Sequence, residues 1–332
     1  MKASSVKNTL DIPSSPDEAA ARESSVPLKA GKIGVSTRLK RKQKWRFWSG
    51  VCFALVLGLA FAQPLGWLIG YVSGSKLHSY ILLVPFVSAY LLYLRRDQLP
   101  KNYSINVPLA VVSLVGGLAV LAVTYRLEFA VEAPADNSHI ALLTLSFLCC
   151  LAAGGFFFFG RTWMRAAAFP LAYLIFMVPM PDAMADALET ASKYASAEVA
   201  DVLFHLSGMP FLRAGLFFQL PNITIEVAQE CSGIRSSWVL FMTSILAANT
   251  FLKTPWRRFL LVAFVIPLAI LRNGFRILVI GLLCVNAGPQ MIHSLIHRRG
   301  GPVFFVLSLI PLFVLLWWLQ RGEIRTRQPE QC

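Results

Sequence analysis

Apolar residues run along this chain in long blocks, near 48–70, 77–94, 107–125, 140–160, 164–180, 233–251, 259–284 and 302–320, separated by short charged or turn-forming stretches. A helix rises about 1.5 Å per residue, so about 20 apolar residues cross the roughly 30 Å of hydrocarbon in a bilayer. The pattern predicts an all-α polytopic membrane protein with about eight transmembrane helices. The blocks at 77–94 and 164–180 are short, and Pro179 and Pro181 in Val-Pro-Met-Pro-Asp stop the second of these firmly.

Between the fifth and sixth blocks the pattern changes. From Asp182 to Leu206 apolar residues recur at helical spacing (Met184, Leu188, Ala191, Ala195, Val199, Val202, Leu203), which predicts an amphipathic helix on the membrane surface. From Gly208 to Val227 the pattern alternates, with turn residues Gly215, Pro221 and Asn222, which predicts a β-hairpin leading straight into the sixth span. The chain thus divides into a polar amino-terminal tail (1–46), a membrane domain (47–320) with one substantial extramembrane segment (182–231), and a short tail (321–332).

Composition supports lipid as the solvent: 56% of residues are hydrophobic and 14% charged. The net charge of +14 does not point to nucleic acid. Residues 1–46 carry 11 Lys or Arg against 4 Asp or Glu, so half the excess sits in one tail. No aromatic residue interleaves the basic positions there until Trp45, and the tail reads as a disordered segment that rests on anionic lipid head groups. A largely polar segment of 46 residues precedes the first apolar block, which does not fit a cleavable secretory signal.

Lys and Arg accumulate on the cytoplasmic side of short loops. With both termini inside, the inner segments hold 22 of the 31 basic residues, and the acids from Glu128 to Glu230 fall outside. The exception is His297, Arg298 and Arg299. The six cysteines show no disulfide or zinc spacing. Cys52, Cys149, Cys150 and Cys284 lie in apolar runs as small hydrophobes and Cys332 ends the chain, which leaves Cys231 alone among polar neighbours.

Cys231 falls where the extended segment meets the start of the sixth span. Free N–H groups at a helix start favour an anion, and Arg235 adds a positive charge one turn along, so the place suits a thiolate. The same residues also read as a plain helix start, with Ser232 capping and Gly233 making the turn. The seventh span carries Arg272, Asn273 and Arg276, although a central Arg costs about 2.5–3.5 kcal/mol on insertion scales. Arg276 comes out level with Cys231 near the outer surface; Arg272, one turn deeper, reads as a buried ion pair or a snorkelling side chain. Before the last span, His293 and His297 stand one helical turn apart, and His297 is the better placed general base for a nucleophilic thiol. A metal site built from His293, His297 and Cys231 is the competing chemistry, but no Glu follows His293 as a metalloprotease pattern requires, and neither metal nor cofactor is expected.

On these residues the sequence resembles the exosortase and archaeosortase family of membrane transpeptidases. The resemblance rests on Cys231-Ser232-Gly233-Ile234-Arg235 opening a helix, Asn273-Gly274-Phe275-Arg276 in a later span, and His297 followed by Gly301 and Phe305. It covers roughly residues 50–320. Arg298 stands where the family often has an acid, and Pro302 where an aromatic is common. The resemblance implies a cysteine transpeptidase of the bacterial inner membrane, a thiol protease with its active site on the extracytoplasmic face. Such an enzyme cuts a Pro-Glu-Pro-type carboxyl-terminal sorting signal from membrane-anchored exported proteins and passes them to an acceptor. It also implies Cys231 as nucleophile, Arg276 as oxyanion or thiolate partner and His297 as acid and base, with Arg235, Ser232, Gly233, Asn273 and His293 in support. Two other classes fit the composition: an anion or solute transporter using Arg272 and Arg276, and a structural component of an exopolysaccharide export system.

Overall fold

The computed structural model describes residues 29–74, 78–101, 103–130, 137–221, 223–227, 233–288 and 301–327. Twelve α-helices and three short strands follow one another in these residues. They are α1 (Lys29–Ala60), α2 (Ala62–Gly74), α3 (Val84–Leu94), α4 (Val107–Ala130), α5 (Asn137–Phe158), α6 (Gly160–Ala166), α7 (Ala168–Tyr173), α8 (Asp182–Ser207), β1 (Leu212–Ala214), β2 (Phe217–Leu220), β3 (Ile223–Glu226), α9 (Ile234–Phe251), α10 (Pro255–Ala263), α11 (Val265–Ala287) and α12 (Gly301–Arg327).

Four described helical stretches are long and apolar enough to cross a membrane: Val107–Arg126, Asn137–Phe158, Pro255–Asn286 and Pro302–Ile324. Two bent pairs, Gln43–Ala60 with Ala62–Gly74 (67°) and Ala168–Met177 with Asp182–Ser207 (90°), raise the number to six if each is one span. The eight apolar blocks therefore do not map onto eight long straight helices, and each difference has a local cause. Pro64 has no N–H to bond the carbonyl four residues back, and the first block bends at that turn. The block at 77–94 becomes a 3-10 turn, Ser79–Leu83, and the short α3. The fifth block breaks into α6, α7 and the 3-10 turn Leu174–Met177 before its prolines. At 18 residues α9 carries Ser236, Ser237, Thr243, Ser244 and Asn249, polar side chains that need protein partners rather than lipid.

The helix expected over Asp182–Leu206 is α8, ended by Gly208 in the left-handed conformation (φ 69°). The face it buries in the protein differs from most of the apolar stripe that the sequence assigns to the membrane surface. Met184, Leu188 and Val202 of that stripe point out of the protein, and a row of small residues, Ala185, Ser196, Ala197 and Ala200, is buried with Phe204. The reason lies on α11, where a Cβ at Gly274 would stand 2.5 Å from Val199 and one at Gly281 would stand 2.7 Å from the Phe204 ring. Two glycines seven residues apart let α8 and α11 approach closely, which favours small partners over large ones. The expected hairpin is a three-stranded antiparallel meander, β1-β2-β3, with Leu212 opposite Gln219 and Phe217 opposite Glu226. Of the turn signals in the segment, Gly215 (φ 62°) lies between β1 and β2 and Pro221 directly follows β2, while Asn222 lies outside the described residues.

The sheet, α8 and the later half of α11 share one core: Ala197, Ala200, Phe204, Phe218, Leu220, Ile225, Val227, Ile277, Ile280 and Cys284. An open sheet presents edge N–H and C=O groups that hydrocarbon cannot satisfy, unlike the apolar helices beside it. The helical stretch Pro255–Asn286 has 32 residues, about 48 Å at 1.5 Å per residue, more than the roughly 30 Å of hydrocarbon, and its later part packs in the same core. At the opposite end, the Glu323 carboxylate of α12 accepts hydrogen bonds from the backbone N–H groups of Lys253 (3.1 Å) and Thr254 (2.7 Å), and Arg257 donates to the Leu319 carbonyl (2.9 Å). These contacts fix α9 and α12 running the same way and α10–α11 against them. Met242 on α9 packs with Val84 of α3 and Tyr173 of α7, and Arg95 donates to Asn249, so α9 joins this bundle to the first half of the chain.

Candidate active site

The site is built where α9 begins. Gly233 takes the left-handed conformation (φ 61°, ψ 12°) and is itself the cap residue of α9. Its carbonyl accepts the Ser237 backbone N–H and the hydroxyls of Ser236 and Ser237, each at 2.9 Å. Directly across stands Asn273: a Cβ on Gly233 would lie 2.2 Å from Asn273 Oδ1 and 2.7 Å from Nδ2. Glycine is required twice over here, for the dihedral and for the close approach. Two of the three sequence motifs therefore touch each other, the Gly of the first against the Asn of the second.

Arg272 completes this contact. Its Nη2 donates to the Gly233 carbonyl (3.2 Å), to Ser237 Oγ (2.9 Å) and to Asn273 Oδ1 (3.1 Å), and its Nε donates to Asn273 Oδ1 (3.3 Å). Arg272 is 6% exposed and Asn273 1%. The sequence reading of Arg272 as an ion-paired or snorkelling residue is corrected: among the described residues it pairs with no carboxylate, and its guanidinium turns inward to the helix start. Arg276, one turn further along α11, is also buried, at 8% exposure. Arg235, expected to support the thiol, is exposed and makes no hydrogen bond or ion pair among the described residues. Ser237 was missed by sequence reasoning; the signal for it was the Ser-Ser pair in the first turn of an otherwise apolar helix.

The third motif approaches from α12. The Phe304 ring, 7% exposed, meets the Phe275 ring edge-on at 6.4 Å, so the first turn of α12 lies beside the Asn273–Arg276 turn. Cys231, Ser232, His293 and His297 lie outside the described residues. They belong to segments whose described ends, Gly233 and Gly301, are the starts of α9 and α12. The ends of all three motif segments thus converge on one turn of α11, at the border between the helix bundle and the sheet layer.

The family model described as transmembrane exosortase (Exosortase_EpsH) matches residues 67–314, well over half of the chain, and the matched region contains all three motifs. No curated protein and no solved structure matches the chain. A multi-pass membrane architecture, Gly233 locked against Asn273, and a family match that spans both agree, and the chain belongs to the transmembrane exosortase family.

Proposed function

We propose that the protein is a membrane-embedded cysteine transpeptidase that cleaves a carboxyl-terminal sorting signal of exported, membrane-anchored proteins and transfers them to an acceptor. The observation that carries this reading is the contact of Gly233 with Asn273 and Arg272. Cys231 precedes Gly233 by two residues, at most about 7 Å of chain. The Cys231 thiolate attacks the scissile carbonyl and forms a tetrahedral oxyanion, which Arg276 stabilises. The oxyanion collapses to a thioester as His297 gives a proton to the leaving amine. An acceptor nucleophile, or water, loses its proton to His297 as it attacks the thioester, and the thiolate is released. Ser232 and His293 support the nucleophile and the base.

The topology that goes with this chemistry has eight spans, residues 1–46 and 321–332 inside, the tail against anionic lipid, and the sheet layer on the extracytoplasmic side of the inner membrane. A protein whose only cysteine is Cys231 should react with an impermeant maleimide in intact spheroplasts; reaction only after lysis would reverse the orientation.

The chemistry is tested by trapping the intermediate. Without acceptor, wild-type enzyme incubated with a substrate bearing the sorting signal should hold the upstream product as an adduct that hydroxylamine releases. Processing with no such adduct in a quenched reaction, and none in the Cys231→Ser variant as an oxygen ester, would exclude covalent catalysis.

A further inference from the structure

We infer that the cavity enclosed by α1, α5 and α6 is a binding site for an anionic phospholipid, with one acyl chain lying in the cavity and the phosphate held by Lys44, Arg46 and Arg161 at its rim. The inference does not depend on the transpeptidase reading. It also differs from the contact of the amino-terminal tail with head groups, because the site takes a lipid chain as well as a charge.

The cavity has a volume of about 140 Å³. Gly50, Phe53 and Ala54 of α1 form one wall; Leu148, Leu151 and Gly155 of α5 stand in a second, and Phe159, Trp163 and Met164 form a third. Among its lining side chains only that of Trp163 carries an N–H or O–H. Apolar cavities of this size stay dry, and when empty they forfeit dispersion contacts along their walls. The walls are not sealed, since Phe53, Ala54, Leu148 and Leu151 are only half-buried. In a bilayer the apolar molecule at hand is a lipid tail. The lining on α5 runs from Leu148 to Gly155, about 10 Å at 1.5 Å per residue, which suits a length of chain better than a compact ligand. Glycines shape the slot: a Cβ at Gly154 would stand 2.2 Å from the Phe53 ring and one at Gly155 2.5 Å from Met164 Sδ. Phe53 and Met164 thus lie back against the α5 backbone.

The charge gathers at one end. Arg46 stands one turn before Gly50 on α1, and Arg161 one turn before Met164 on α6. Arg46 Nη1 donates to the Tyr103 carbonyl (2.6 Å), the Tyr103 ring meets Phe159 edge-on at 5.4 Å, and Phe159 stacks on Trp163 at 4.5 Å. An unbroken run of contacts therefore joins the guanidinium to the cavity wall. Lys44, Arg161 and Arg165 are exposed, and among the described residues neither they nor Arg46 pair with a carboxylate. Asp97, the one acid in the neighbouring segment 95–106, pairs with Arg96 (3.8 Å). Cations beside an opening between membrane helices suit the phosphate of an anionic lipid, and a zwitterionic head group gains less from them.

The experiment uses full-length protein in phosphatidylcholine vesicles that contain a trace of phosphatidylglycerol or of phosphatidylcholine, each probe carrying a diazirine midway along one chain. After photolysis, adducts are mapped by mass spectrometry of peptides. The phosphatidylglycerol probe should concentrate on residues 50–54, 148–155 and 163–164, at about ten times the yield of the phosphatidylcholine probe. The exposed face of α4, with Val111, Val112 and Val115, is the control and should take both probes equally. Arg46→Gln combined with Arg161→Gln should cut cavity labelling by phosphatidylglycerol about tenfold and leave α4 labelling unchanged. Ala152→Leu, which fills the cavity and keeps every charge, should also lower it. Equal cavity labelling by the two probes would overturn the choice of an anionic lipid, and adducts no denser in the cavity than on α4 would overturn the site. Should either variant fail to accumulate, the comparison of the two probes on unaltered protein still decides.

Discussion

Replacing Cys231 by Ala is expected to lower substrate cleavage by at least about 10³-fold, because a covalent pathway has no substitute for its nucleophile. The protein should still accumulate in the membrane at its normal level. The described packing around the helix start comes from Gly233, Asn273, Arg272 and Ser237, all of which the substitution retains, and truncating one thiol is a small change in side-chain volume. His297→Ala should be nearly as damaging, by about 10²–10⁴-fold, through loss of proton transfer to the leaving amine. The two losses should not add in the double variant, since each disables the same step. Immunoblots of intact and shortened substrate, normalised to enzyme level, measure all three. Shortened substrate appearing at the normal rate in Cys231→Ala would sink the transpeptidase reading and leave a transporter, with Arg272 and Arg276 facing an anionic solute, as the class to pursue.

Arg276→Lys is expected to fall by about 10²–10³-fold in kcat, the usual consequence of removing one donor at a developing oxyanion. Lysine carries the same charge, but it presents a compact ammonium in place of a planar fork, and at 8% exposure there is little water to bridge the gap. KM should change little, since the interaction strengthens in the transition state rather than in the bound substrate. Full activity in Arg276→Lys would reduce Arg276 to a generic positive charge.

The candidate site was legible to the extent that local sequence carries it. Cys-Ser-Gly-x-Arg reads as a helix start because glycine and serine mark turns and caps, and an Asn and two Arg in an apolar span announce themselves by their cost in lipid. Arg272 could not be read correctly, because its partners are a carbonyl and a hydroxyl on α9 some 35–39 residues away in sequence. A charged side chain shows in sequence that something must compensate it, and leaves open whether that is a carboxylate, water or backbone. Arg235, which spacing puts one turn from Cys231, is exposed in the structure.

Hydrophobic runs by themselves determined that this is a mostly helical, multi-pass membrane protein, and that a helix from Asp182 is followed by extended chain. Those properties depend on neighbours within one or two turns, and the sequence lists those neighbours in order. The tertiary structure decided which face of α8 is buried, because the choice belongs to Gly274 and Gly281 on another helix. It decided that α9 and α12 run together against α10–α11, through Glu323 at one end and Phe304 against Phe275 at the other. It also decided that Gly233 meets Asn273. Contacts between segments 40 residues apart depend on packing shape and on where buried donors find acceptors, and neither is written in the local pattern of apolar and polar positions.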